Sequence, residues 1–283
     1  MFDRATPPVD VVVAPFYLDR VEVSRARFAA FLSAHLDVTF VEGAAPDLAN
    51  AVRDTRGVLA AAATESHPVA GVGVRLVAPR RYEPEGGGAL PMVAVTWLGA
   101  HAYCLSLGAR LPTEAEWELA ARAEKRTLFV GGDDRPSCAD AVFGRDGERK
   151  GAKECASQRD RLVEVGAADR RGSEILHLGD NVSEWVADYL VEDDSKRARY
   201  ARCASTPCVD YYVAANGKPG PRPNPDDVGA PGSLHPIRGC SFLDPAGRCV
   251  AAVRSYDAGY ELDPSNQGAT NPHVGFRCAR SKE

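Results

Sequence analysis

Cys240 and Cys249 carry the sharpest chemistry at short spacing in this sequence. They lie nine positions apart and flank Asp244, Pro245 and Gly247, residue types that turn a chain. A disulfide across a tight loop is one outcome. Unpaired thiols buried as small core residues, or thiols paired elsewhere, are the others. Ser241 lies between the two cysteines and His235 just before them, yet nothing marks a hydrolase triad, and a lone loop histidine is usually a surface residue. The chain holds eight cysteines: Cys104, Cys138, Cys155, Cys203, Cys208, Cys240, Cys249 and Cys278. None forms a C-x-x-C pair and the six histidines show no metal-ligand spacing, so a structural zinc site is not expected. An even, loop-located set favours disulfides and an oxidising compartment.

Other motifs carry less. Gly86 to Gly88 lack phosphate-loop context and read as a turn. Asn181-Val-Ser183 is formally a glycosylation sequon, but it lies in a segment that reads as packed.

Three helices must position these groups. Ser24 caps the first, in which Phe28, Phe31 and Leu32 share a face. Thr96 caps the second, where Trp97, Ala100, Tyr103, Cys104 and Leu107 form an apolar stripe that Gly108 ends. Thr113 and Glu116 form a capping box at the start of the third, with Ala115, Leu119 and Ala120 as its apolar face. Glu114 and Glu116 suit the positive end of that helix dipole. Val11, Val13, Phe16 and Leu18 suggest an extended entry, and GVGVRLV (71–77) a strand. After the third helix, helical patterning stops. Residues 125–173 read as charged loops, and 192–236 as a long polar segment rich in Pro and Gly. Such loops are functional or disordered.

Length, 283 residues, allows one large domain or two small ones, and no composition shift marks a boundary. A net charge of −5 without a basic run argues against a nucleic-acid partner. No stretch reaches the roughly 20 apolar residues of a membrane helix. The opening MFDRATPP lacks a signal-peptide core.

Five ordered blocks resemble one family. RLPTEAEWELAAR (Arg110 to Arg122) closely resembles the core motif of the formylglycine-generating enzymes, also called sulfatase-modifying factors. GDNVSEWVADYL (Gly179 to Leu190) is similar to the family's GNxWEWxxD segment. IRGCSF (Ile237 to Phe242) with HVGFRCAR (His273 to Arg280) is similar to its closing RGGSW and GFRCA pair. FYLDRVEVS (Phe16 to Ser24) resembles the opening strand, and PMVAVTWLGAHAYC (Pro91 to Cys104) the PVxxVSWxxAxAYC helix. The family's opening PGGxFxMG hairpin has no counterpart, so the N-terminal edge is expected to be shortened or rebuilt.

The resemblance implies a single α+β domain over 10–283, a loop-rich variant of the C-type-lectin fold, with 1–9 loose. It also implies a disulfide between Cys104 and Cys278. Pairing the remaining six cysteines with their chain neighbours gives Cys138–Cys155, Cys203–Cys208 and Cys240–Cys249.

Active members oxidise a sulfatase cysteine to formylglycine with copper(I) and oxygen, and copper(I) accepts two thiolates in a near-linear arrangement. The family places those cysteines five residues apart, just after the RGGS block. Counted from Arg238, the first position falls on Asp244 and the second on Cys249, while Cys240 stands where glycine is usual. A tryptophan that lines the family's substrate cleft is replaced by Ser183. Asn181, Glu184 and Trp185 remain, with Trp185 expected in the core and Glu184 on calcium or a buried arginine. Calcium is therefore the metal the resemblance favours over copper. One site would use Glu184 with the carbonyls of Asp180 and Val182, although His177 replaces the usual Asp or Asn; Asp140 matches a ligand of another. These carboxylates have a simpler reading as turn residues making local hydrogen bonds.

The resulting expectation is an extracytoplasmic, non-catalytic module that binds a protein or small ligand, with no nucleic acid and no membrane span. Its cleft would be lined by Ser183, Tyr189, Tyr211, Tyr212, Ser241, Asp244 and Tyr256; loop tyrosines give large contact area with few rotatable bonds. The alternative is a copper-dependent oxidase using Cys240, Cys249 and Ser241. A structural subunit docking through 192–236 is a third reading.

Overall fold

The computed structural model describes residues 10–35, 38–45, 48–54, 59–64, 73–122, 127–138, 141–143, 162–167, 174–189, 208–209, 212–213, 219–220, 234–244, 246–258 and 273–282. In chain order its elements are β1 (Val11–Val12), β2 (Phe16–Leu18), α1 (Arg25–Ala34), β3 (Val38–Ala45), β4 (Leu48–Asp54), β5 (Leu59–Thr64), β6 (Val74–Ala78), β7 (Arg81–Pro84), α2 (Trp97–Ser106) and α3 (Glu114–Arg122). Then follow β8 (Ser183–Trp185), β9 (Cys208–Val209), β10 (Tyr212–Val213), β11 (Pro219–Gly220), β12 (Leu234–Arg238), β13 (Arg254–Ala258), β14 (Val274–Gly275) and β15 (Ala279–Ser281). The central sheet runs β13-β12-β8-β14. β12 is antiparallel to both β13 and β8, and β14 is parallel to β8. β15 closes the entry segment by pairing with β2. The class is α+β and loop-rich, with three α-helices among the described residues and none after α3.

All three helix starts follow their capping residues. The Ser24 hydroxyl accepts from the Arg27 N–H at 3.3 Å, and the Thr96 hydroxyl from the Gly99 N–H at 2.9 Å. The third start is a full capping box: the Glu116 N–H donates to Thr113 Oγ1 at 3.2 Å, and the Thr113 N–H donates to Glu116 Oε2 at 2.8 Å. Arg110 adds a two-pronged ion pair to the same Glu116 carboxylate, 2.6 Å from each oxygen. Gly108 has φ +64°, as the end of α2 requires.

Two helix faces differ from expectation. Leu107 closes α2 as its C-cap and is 45% exposed, so the apolar stripe ends at Cys104. In α3 the buried residues are Glu114, Glu116, Trp117 and Ala121, whereas Ala115, Leu119 and Ala120 are only half-buried. Trp117 outweighs three small residues in apolar area, and the glutamates it brings inward find arginine partners. The β3-β4-β5 meander in 38–64 carries no clear alternation and was not foreseen. The strand expected at 71–77 is β6, paired with β7.

The main core joins Val23, Phe28, Leu32, Trp97, Tyr103, Leu111, Trp185 and Phe276. Two tryptophans tie its halves reciprocally: Trp97 Nε1 donates to the Val186 carbonyl at 2.7 Å and Trp185 Nε1 to the Val95 carbonyl at 3.0 Å. The Cys104–Cys278 disulfide joins α2 to the C-terminal segment across 174 residues. A loop of that length corresponds to about 5 kcal/mol in the chain-entropy view.

Candidate functional site

The loop after β12 is shaped by its glycine and its covalent link. Gly239 has φ +78°, and a Cβ there would lie 2.9 Å from Gly179 Cα and 3.1 Å from Trp117. Cys240 and Cys249 are joined as a disulfide, with Cα atoms 4.8 Å apart. Cys240 Sγ thus carries no proton, and its 3.1 Å approach to the Gly179 carbonyl is a contact rather than a hydrogen bond. Both sulfurs pack with Phe129, Phe143, Ala246 and Val250.

Inside the loop, Asp244 organises the turn. Its Oδ2 accepts from the Ser241 N–H at 2.9 Å and from the Ser241 hydroxyl at 2.7 Å; its Oδ1 accepts from Arg248 at 3.2 Å. The Ser241 hydroxyl also accepts from the Leu243 N–H at 3.3 Å. Both residues therefore act as turn braces.

Beneath the loop lies a buried polar network. Glu184 and Arg277 are both fully buried. Arg277 Nε is 2.9 Å from each Glu184 oxygen, Nη2 is 2.7 Å from Oε1, and Trp117 Nε1 donates to Oε2 at 2.9 Å. Although burial opposes the charge, contact with Glu184 raises the Arg277 pKa above its ordinary value. Of the two roles expected for Glu184, the side chain has the second, as partner of a buried arginine. Asn181 donates to Glu22 Oε2 at 2.9 Å and to the Val163 carbonyl at 3.2 Å, so the sequon amide is packed as expected. Burial pushes the Glu22 carboxyl well above the usual range, Arg277 works against that, and Glu184 and Asp180 add to it. Asp180 Oδ2 accepts from the Val142 N–H at 2.7 Å, and Oδ1 lies 3.2 Å from His177 Nδ1. His177 and Asn181 hold φ +54° and +60°, a conformation costly for residues with a Cβ.

A second charge cluster binds α3 to the sheet. Arg238, fully buried, pairs with Glu114 at 3.3 Å and Glu118 at 2.6 Å and sits 5.3 Å from the Trp117 ring centre. Arg254 also pairs with Glu114, and the Glu114 N–H donates to Asp188 Oδ2 at 2.7 Å. Nothing in their spacing links these residues along the chain. The same is true of His235, whose ring stacks on Trp97 at 3.9 Å and lies 4.4 Å from Tyr189. Its Nδ1 donates to the Asp188 carbonyl at 3.1 Å, which fixes the tautomer, and Nε2 has no partner. Burial lowers its pKa to about 3; the Asp188 carbonyl opposes the shift and His101 adds to it.

The side chains of four residues expected to line the cleft are described. Ser183, Tyr189 and Ser241 are 5%, 2% and 0% exposed, so they face the interior. The Ser183 hydroxyl donates to the Gly239 carbonyl at 3.3 Å. Asp244 is partly buried under Arg248. Tyr211, Asp140, Cys155 and Cys203 lie outside the described residues, as do the side chains of Tyr212, Tyr256 and Cys208. Cys138 is disulfide-bonded.

Copper on Cys240 and Cys249 and calcium on Glu184 do not fit these side chains, and the Asp140 site lies outside the described residues. Copper(I) needs thiolates, and the two sulfurs of the loop are bonded to each other. A calcium ion on Glu184 would compete with the guanidinium already on both oxygens. Like unit charges 4 Å apart repel by about 4 kcal/mol at an effective dielectric near 20. Among the described residues, no group of three or more His, Cys, Asp or Glu side chains converges on a common point.

The chain belongs to the sulfatase-modifying factor family: the profile of the sulfatase-modifying factor enzyme 1-like domain matches residues 2–282. It is similar to the formylglycine-generating enzyme of Streptomyces coelicolor, 40% identical over 131 residues, 42% of this chain and 40% of that enzyme. It is 30% identical over 213 residues to that of Thermomonospora curvata, 68% of this chain and 65% of the relative. The chain thus spans less than two thirds of either enzyme. A similar segment occupies 24% of the serine/threonine-protein kinase pkn1 of Chlamydia pneumoniae, 28% identical over 193 residues and 68% of this chain. The fold is shared with the solved structure of PvdO from Pseudomonas aeruginosa, with TM-score 0.54, 19% identity, and 95% of this chain and 81% of that one covered.

Proposed function

We propose that this chain is a non-catalytic member of its family, a binding module working in an oxidising, extracytoplasmic compartment. The observation that carries the reading is the Cys240–Cys249 disulfide. It stands in the segment where active members keep two thiolates, and Asp244, at the first of those positions, braces a turn. Ser183 supports the same reading: it replaces a cleft tryptophan and turns inward to Gly239. The disulfides Cys104–Cys278 and Cys240–Cys249 support the compartment. The chlamydial kinase, of which the matching segment is about a quarter, supports use of this domain as an attached module. Its ligand is a protein or a small molecule.

The test is copper(I) competition titration of the unreduced protein and of a Cys240→Ser/Cys249→Ser variant. The proposal expects the two to be indistinguishable, with weak affinity in both. Tight copper binding by the unreduced protein, lost in the variant, would favour the oxidase instead, a reading that the similarity to formylglycine-generating enzymes keeps in view.

A further inference from the structure

The turn 176–184 gathers three carboxyl groups in or against its buried network, those of Glu22, Asp180 and Glu184. The family resemblance would place a divalent cation here. We infer that this turn is held by the chain's own groups in place of that cation, the His177 ring bracing Asp180 and the Arg277 guanidinium neutralising Glu184.

The donor set supports this point by point. Both oxygens of Asp180 are engaged, one by the Val142 N–H and one by His177. Both oxygens of Glu184 face Arg277, and one also accepts from Trp117. Glu22 Oε2 accepts from Asn181, which leaves Oε1 as the one carboxylate oxygen among these six without a partner. Two neighbouring carbonyls are also used: Asn181 donates its N–H to the Val142 carbonyl at 3.0 Å, and the Asn181 carbonyl accepts from the Phe242 N–H at 2.9 Å. Calcium takes six to eight oxygen ligands. One spare carboxylate oxygen, the backbone carbonyls of Asp180 and Val182, and an imidazole, a nitrogen ligand that a hard cation does not favour, fall short of such a set. The His177 ring is buried beside Asp180 with Nε2 unpartnered, so it fills space as well as carrying the hydrogen bond.

The claim is independent of whether the family chemistry persists at Cys240 and Cys249. Its test is thermal unfolding of the full, disulfide-intact chain in about 5 mM calcium chloride and in about 5 mM EDTA, since a cation bound only by the folded state raises its midpoint. The expected difference is below about 1 °C. A rise of several degrees with calcium overturns the proposal. A double-mutant cycle with His177→Ala and Asp180→Ala tests the surrogate directly: the two losses should be markedly less than additive. Simple additivity would mean that the imidazole does not hold Asp180, and the inference fails. The calcium comparison uses the unaltered chain, so it decides the point even if a variant does not fold.

Discussion

Arg277 is fully buried and spends its donors on Glu184 and on the carbonyls of Asp19, Arg20 and Leu176. Truncating it leaves an uncompensated carboxylate in the interior. Arg277→Met should therefore lose about 3–5 kcal/mol in urea unfolding. A change below about 1 kcal/mol would show that Glu184 is solvated or neutral, contrary to this geometry. His235 makes a pH prediction of known sign. Its folded-state pKa is lowered, to about 3, so the unfolded chain binds the extra proton first. Stability from His235 is complete above about pH 6.5 and falls as pH drops from there toward 3. Glu22 acts with the opposite sign, because its raised pKa favours the folded state in acid. The clean readout is the difference between wild type and His235→Phe: the wild type should lose stability more steeply between about pH 6.5 and 4. Parallel pH profiles would contradict a buried, neutral imidazole. Of these residues, Glu184 was legible from its motif, with an arginine named among its partners. His235 was not, because its environment comes from residues 97 and 189, brought together only by the fold.

The capping residues of all three helices were legible because a cap is a local device, written within three or four residues. Thr113→Ala should cost α3 about 1 kcal/mol, read as a lower melting midpoint. An unchanged midpoint would mean that Arg110 and the ion pairs alone fix Glu116. The inward face of α3 was not legible. Local pattern assigns Glu114 to solvent, whereas Arg238 and Arg254, from strands more than a hundred positions away, meet it inside. The β3-β4-β5 meander escaped for a related reason: its ladder comes from pairing between strands, which no single strand's sequence displays. The loop after β12 is pinned at Gly239, where two backbones meet. Gly239→Ala should destabilise strongly, by about 2 kcal/mol or more, since the added carbon meets Gly179 backbone and the φ is positive.

At the scale of the molecule, the resemblance carried further than the residue patterns did. It supplied the fold class and the Cys104–Cys278 link between segments 174 residues apart, neither of which periodicity alone defines. The staple at Cys240–Cys249 separates the two functional readings most cleanly, because an oxidase of this family needs free sulfur where this chain has a bond. The decisive measurement is mass spectrometry of a peptide carrying a sulfatase's target cysteine after incubation with the protein, copper(I), a reductant and oxygen. The account predicts that the peptide cysteine stays unconverted. Formylglycine formed over many turnovers, and abolished in Cys240→Ser or Cys249→Ser, would contradict it.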